Sequence, residues 1–384
     1  MSCDELAPSI SCMGMVDRAL ALEREGVDVI HLEKGETDLD TPDAVTEAAV
    51  RALRDGRTRY TTSAGLPELR QAVCDYYLRA WGARIRPSQV FVNSGSSPAL
   101  LTLLLAVLEP GGEVLLPDPG YPAYPGLVRA AGGRPVPVST VADGFVQRPD
   151  AVGEAITPLT RAIVINSPAN PTGAVLDEAA LADFARLGPL VISDDVYLEL
   201  AFDRSRQRSI LAHTDAAAAV GSFSKAFNMT GWRLGYVVVP DHLVARVQDL
   251  QENLFVCANS FVQWAGVAAL AEAETHASTV RAELRTRQDT LLRGLAELGL
   301  EVPCPPRGGF YAFARLPERL LPSARFARDL LERAHVAVTP GGEFGPSGEG
   351  YVRFSCAAPS ARIEEAIRRI RAFAEVGGVM EVQR

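Results

Sequence analysis

The chain has 384 residues, 47% of them apolar and 22% charged, with a formal net charge of −9. That length exceeds what one compact core usually holds, so two domains, or a large one with a smaller partner, are expected. The acidic balance disfavours nucleic acid and anionic membrane as partners, no run approaches the ~18 apolar residues of a membrane span, and the acidic opening MSCDELAPSI does not read as a signal peptide.

Thr41 and Pro42 open the first clear helix, with Thr as N-cap, Pro in the first turn and Gly56 beyond its end near residue 55. A second helix is predicted over 67–81, stopped by Gly82. Short apolar strands follow at 89–93, 113–117, 134–139, 161–166, 190–193, 218–222 and 234–239, alternating with helices that include 98–108 and 177–187. Near-continuous apolar runs such as RAIVIN and PLVIS suit strands buried on both faces, which means a mostly parallel sheet. Beyond Pro240 the pattern changes to long helices, 241–274 and 276–298, and the last ~85 residues mix two or three strands with helices. The expected fold class is α/β: a large domain at about 36–270 with a mostly parallel seven-stranded sheet sandwiched by helices, and a smaller α+β domain at 271–384 joined by an N-terminal arm, 1–35.

Two compositional signals bear on chemistry. The six cysteines (Cys3, Cys12, Cys74, Cys257, Cys304, Cys356) are scattered with no C-x-x-C, which fits a reduced, cytoplasmic protein in which each is a small buried apolar residue. Of 38 basic residues only Lys34 and Lys225 are lysine. A lysine kept against such a preference for arginine is a candidate for work arginine cannot do, because Lys can become a neutral nucleophile near pH 7 and Arg cannot. Lys34 has no motif around it and reads as a surface or hinge residue.

Ligands of open α/β sheets gather at the carboxyl ends of the strands. Four such ends carry polar turn residues: Ser94-Gly95-Ser96-Ser97 ahead of a helix, Ser167 to Gly173, Asp194-Asp195-Val196-Tyr197, and Ser224-Lys225 with Arg233 further on. Small residues at a helix N-terminus expose N–H groups suited to a phosphate. Together these ends describe a phosphate cradle, an amine nucleophile, a carboxylate and a phenol. A Walker-type loop and a G-x-G-x-x-G fingerprint are both missing, and the five His are isolated, so NTP, dinucleotide and metal sites are disfavoured.

The segment GSFSKAFNMTGWRLGY, from Gly221, resembles the lysine-attachment segment of class I/II aminotransferases, the fold-type-I enzymes that use pyridoxal 5′-phosphate. The resemblance extends in order through Tyr60 in YTTSAGLPELR, Gly95 in NSGSSPAL, Tyr121 in PDPGYPAY, Asn170 in NSPANPTG, Asp194 and Tyr197 in ISDDVYLEL, GGFYAFARLP from Gly308, and Arg353 in GYVRFS. It implies that Lys225 holds the cofactor as a Schiff base and then shuttles a proton, that Asp194 pairs with the pyridine nitrogen, and that Asn170 and Tyr197 bond the 3′ oxygen. It further implies that Ser222, Ser224 and Arg233, with backbone N–H groups near Gly95, Ser96 and Ser97, hold the phosphate, and that Tyr121 stacks on the ring. Gly35, Asn170 and Arg353 fall to the substrate, with Arg353 on its α-carboxylate. Tyr60 reaches the phosphate of a second subunit, which implies a homodimer with shared sites. Asp195 is read as structural.

These residues serve the cofactor's chemistry in general. Transamination between an L-amino acid and a 2-oxo acid is the expected outcome in this branch. β-Elimination or a related lyase or oxidative reaction on the same scaffold competes with it, and a cofactor-binding regulator is disfavoured because no basic DNA-binding domain precedes the core. Ser97 stands where some dicarboxylate-specific relatives carry Lys, which argues weakly against an aspartate enzyme, and Thr37 stands where many relatives show Pro. Segments 13–15 and 253–260 are candidate pocket walls.

Overall fold

A computed structural model of the chain describes residues 12–377. The first eleven residues of the expected N-terminal arm, with Cys3, lie outside the described residues. All seven predicted strands form one sheet, in the spatial order Val90–Asn93, Gly235–Val238, Ala218–Ser222, Leu190–Asp194, Thr160–Asn166, Glu113–Asp118, Arg134–Ser139. Gly235–Val238 alone runs antiparallel to its two neighbours, so the sheet is mostly parallel.

Alternation along each strand decides which face a side chain covers. Val114, Ala162 and Val164 pack on one face with Leu100, Leu103 and Tyr124, while Leu115, Ile163 and Ile165 pack on the other with Phe184 and Ile210. Both faces are dry, which is why these strands read as continuous apolar runs. The largest core cluster continues from Val90, Val92 and Tyr236 to Phe310, Val352, Phe354 and the C-terminal helix.

Two smaller sheets complete the structure. Ile30–His31 pairs in parallel with Val336–Ala337. Thr339–Pro340, Tyr351–Ser355 and Tyr311–Arg315 form an antiparallel trio in that order. The chain after His31 is stitched into this layer: the Leu32 N–H donates to the Ala337 carbonyl at 2.9 Å, and the Ser355 N–H donates to the Leu32 carbonyl at 2.7 Å. The helices Cys12–Arg24, Ser323–Ala334 and Ser360–Gly377 pack here.

Two local expectations are corrected. The helix expected over 241–274 is two, Asp241–Phe255 and Ser260–Ala271. They part at Val256, which takes φ 62° and ψ −70°, and the Cys257 N–H turns back to the Phe255 carbonyl at 2.7 Å. No Gly or Pro marks this break. It is set by tertiary contacts of the second helix: fully buried Gln263 accepts the Leu66 N–H at 2.7 Å and donates to the Ala258 carbonyl at 2.9 Å. Thr41 is not an N-cap either. The helix is Asp43–Arg54 with Pro42 at its cap, and the Thr41 hydroxyl donates to the Asn228 carbonyl at 2.7 Å while accepting the Trp232 indole N–H at 3.0 Å. A tertiary bond took the group that local logic assigned to the cap. The third and fourth predicted helices are Ser96–Val107 and Glu178–Phe184, the latter capped by Asp177.

Gln263→Leu should lower stability by about 1–3 kcal/mol, because it strands the Leu66 N–H, whereas Val256→Gly should leave stability equal or raised by up to about 1 kcal/mol by relieving the positive φ. Urea midpoints of the two variants measure both, and a silent Gln263→Leu refutes its role in setting the second helix.

Candidate active site

The carboxyl ends of the parallel strands are brought level by register. Asn166 pairs with Asp194, Asp194 with Val220, and Ser222 with Gly235, which pairs in turn with Asn93. A cleft of about 390 Å³ opens over these ends. Of the residues singled out in the sequence, Gly35, Ser96, Ser97, Tyr121, Asn170, Asp194, Tyr197, Ser224, Lys225, Arg233 and Arg353 line it. Ser222 sits just behind, its hydroxyl oxygen accepting the Ser224 N–H at 3.1 Å. Gly95 borders it, since a side chain there would collide with the Arg233 guanidinium. Tyr60 is apart from the others, 85% exposed on the outer surface. Asp195 points into the core, where Ser193, Ser209 and Tyr77 hydroxyls surround it and burial pushes its carboxyl up to about 7.

The Lys225 ammonium donates to the Gly35 carbonyl at 2.6 Å. Burial pushes it down to about 8, with Arg353 and Arg233 pressing the same way against Glu36 and Asp194. This amine is therefore partly neutral near physiological pH, the form that attacks a carbonyl. The absence of a side chain at Gly35 leaves room for this wall: a Cβ would lie 2.8 Å from the Tyr311 hydroxyl oxygen, and that ring would have to shift.

Asp194 lines the same cleft as the amine. It accepts the Tyr124 hydroxyl at 2.6 Å and the Val196 N–H at 3.2 Å, and its main-chain carbonyl takes the Asn166 amide at 2.9 Å. Burial nevertheless pushes its carboxyl up, so a cationic partner is what this group lacks. Tyr197 and Tyr311 share a hydrogen bond at 3.1 Å, and burial holds the Tyr197 phenol well above its ordinary value.

One corner is built for an anion. Gly95, at φ 106° and ψ 172°, precedes the first turn of the helix Ser96–Val107, whose leading N–H groups have no side-chain cap. Arg233 stands beside it, one guanidinium nitrogen donating to the Thr230 carbonyl at 2.8 Å. The opposite wall holds Arg353, only 3% exposed. It donates to the Asn170 side-chain oxygen at 2.9 Å, the Glu33 carbonyl at 2.7 Å and the Thr339 hydroxyl oxygen at 3.1 Å. Its guanidinium carbon lies 4.2 Å from the Tyr311 ring centre. No acid among the described residues pairs with it, and its Nε is buried without a partner. A buried guanidinium without a counter-ion is chemically suited to a carboxylate.

Several lining residues were not singled out beforehand. Tyr124, in the first turn of the helix Ala123–Ala130, packs edge-on against Tyr121 just before that helix, their ring centres 5.3 Å apart. Asn166 ends RAIVIN, and Tyr311 lies within GGFYAFARLP, a matched motif from which no residue had been chosen. Val16 comes from the helix Cys12–Arg24, close to the expected 13–15 wall, whereas 253–260 contributes no lining residue. Lys34 lines the cleft too, half-buried rather than on the open surface.

Known proteins match this chain over most of its length. The aspartate/prephenate aminotransferase of Thermus thermophilus is 38% identical over 369 residues, which is 94% of this chain and 94% of that protein. Among solved structures, the Thermus thermophilus aspartate aminotransferase with maleate has a TM-score of 0.90 at 37% identity, covering 94% of this chain and 96% of that one. The aromatic aminotransferase from Pyrococcus horikoshii OT3 has a TM-score of 0.87 at 38% identity, covering 94% and 100%. Residues 27–370 match the family described as aminotransferase class I and II. On this fold and with these relatives, the chain belongs to the class I and II aminotransferases.

Proposed function

We propose that the cleft binds pyridoxal 5′-phosphate, and that the enzyme uses it to move the amino group of an L-amino acid to a 2-oxo acid. The observation that carries this reading is the buried Lys225 amine, set among groups that match the cofactor's three polar ends. The donors around Gly95, Ser96, Ser97, Ser224 and Arg233, with Ser222 behind them, would hold the phosphate. Asp194, raised by burial and short of a cation, would pair with the ring nitrogen; Asn170 and Tyr197 would bond the 3′ oxygen, and Tyr121 would lie on the ring face. When bound, the cofactor supplies an electron-withdrawing ring that stabilises charge left at the substrate Cα.

The chain's own residues do the rest. Lys225 would hold the cofactor through its amine and, once substrate is bound and the amine is free, would take the proton from the substrate Cα. Arg353 would bind the α-carboxylate, and that single contact fixes which substituent of Cα faces the lysine. Asn170 serves both ends of this arrangement, since its side-chain oxygen already receives Arg353. Tyr60, exposed in one chain, would reach the phosphate in a second, so the working unit is a homodimer with shared sites. The relatives' names span aspartate, prephenate and aromatic substrates, so the family alone does not select the donor. No helix among the described residues is long and apolar enough to cross a membrane. Cys74, Cys257, Cys304 and Cys356 are free thiols, which supports a reducing, cytoplasmic setting.

Holoenzyme given a panel of amino acids with and without 2-oxo acids should make the corresponding oxo acid only when an acceptor is supplied; ammonia release without an acceptor would instead mean elimination. Lys225→Ala should lower kcat at least ~10³-fold, and reduction with borohydride should no longer fix the cofactor to the tryptic peptide around position 225. Asp194→Asn should stay folded and lose ~10²–10³-fold in kcat, measured in single turnover. In cofactor-free protein, acylation of Lys225 should rise with pH through a midpoint near 8, against the ~10.4 of a solvated lysine. Peptide mass mapping separates the two lysines, and a midpoint above 10 would show that burial does not activate this amine.

A further inference from the structure

Both lysines of the chain line this cleft, and the reading above uses one. Lys34 lies between Glu33, whose carbonyl accepts from Arg353, and Gly35, whose carbonyl accepts from Lys225. It is therefore in the wall that faces the reacting amine and the carboxylate receptor. The other charges of the cleft are accounted for. Glu36 accepts the Thr230 hydroxyl at 2.9 Å, the Glu33 carboxylate meets the His31 ring at 2.7 Å, and Asp194 accepts Tyr124. On the reading above, Arg233 and Arg353 would be matched by the phosphate and the α-carboxylate. Lys34 is half-buried and makes no hydrogen bond or ion pair with a described residue. On the phosphate side, Ser97 brings a hydroxyl and no charge, and the one cation there among the described residues is Arg233.

We propose that Lys34 is a specificity-determining residue whose ammonium binds a second carboxylate, on the substrate side chain, so that dicarboxylic amino acids and their 2-oxo acids are the favoured substrates. The inference rests on the transamination reading. With the α-carboxylate on Arg353 and the amine at Lys225, the side chain is the one part of the substrate still lacking a charged partner. Lys34 is the one cation of the wall still lacking an anion. A charge-assisted bond made in a half-desolvated cleft discriminates about 10–100-fold against a neutral side chain. The cation then comes from the segment before Gly35 instead of from the phosphate loop, so the serine at position 97 does not argue against an acidic substrate.

The test compares kcat/KM of holoenzyme for aspartate and glutamate with that for alanine and leucine. In parallel, the cofactor absorbance is titrated with maleate and with propionate, which bind without reacting. Lys34→Met should lower the dicarboxylate-to-neutral ratio about 10–100-fold, mainly through KM, and weaken maleate by a similar factor relative to propionate. Lys34→Arg should keep the ratio within about fivefold of the wild type, because the charge remains. A wild-type enzyme without preference for dicarboxylates overturns the proposal, as does a Met variant whose ratio stays within about threefold. Equal weakening of maleate and propionate overturns it as well, since Lys34 would then act as a general field. A holoenzyme that turns over no amino acid sinks the transamination reading instead, and the maleate titration still decides the role of Lys34.

Discussion

The site depends on one amine being held where its proton is easily lost. Lys225 is enclosed, faces a main-chain carbonyl in place of a carboxylate, and lies within the field of two arginines. Moving its pKa from 10.5 to about 8 corresponds to about 3 kcal/mol taken from the charged form. A carboxylate in place of the Gly35 carbonyl would undo this, because an ion pair restores the charged form. The nearest acids are held otherwise. Asp194 is committed to Tyr124 and the Val196 N–H, and Glu36 to Thr230.

The fold achieves this by bringing distant segments to one level. Sheet register aligns Asn166, Asp194 and the strand that leads to Lys225. The strap 32–36 is drawn across the cleft by the smaller sheets, and Thr37 and Thr41 tie its far end to Asn228, three residues past the lysine. Thr37, which departs from the Pro of many relatives, thus has a visible use: its hydroxyl donates to the Asn228 side-chain oxygen at 2.8 Å. The strap meets the lysine loop through side-chain hydroxyls that a proline could not offer.

The sequence was informative where signals are local. The strands were legible because burial on both faces leaves a short apolar run, and helices ended by glycine, as at Gly82 with φ 70°, were legible because the turn demands that residue. The lysine, Asp194 and Arg353 stood out because each follows or sits in such a strand within a long matched segment. What escaped was decided by contacts across the fold. The break at Val256 answers to Gln263 and Leu66, Thr41 left its cap for Asn228, and Tyr124 and Tyr311 look like packing aromatics until the partners of their hydroxyls are known. Lys34 had a compositional signal, being one of two lysines, but nothing in its neighbours told which way the wall would face.

The strap also has a metric role. Glu33 presents its carbonyl to Arg353 and Gly35 presents its own to Lys225, so a run of three peptide units, the first and third of them bonded, sets the gap between the group proposed to grip the substrate and the group proposed to act on it. That gap is made of backbone, and side chains at 34 and 36 can vary without being part of it. The template for an α-amino acid is thereby separated from the choice among α-amino acids, and a lineage can change its diet while its ruler stays the same length.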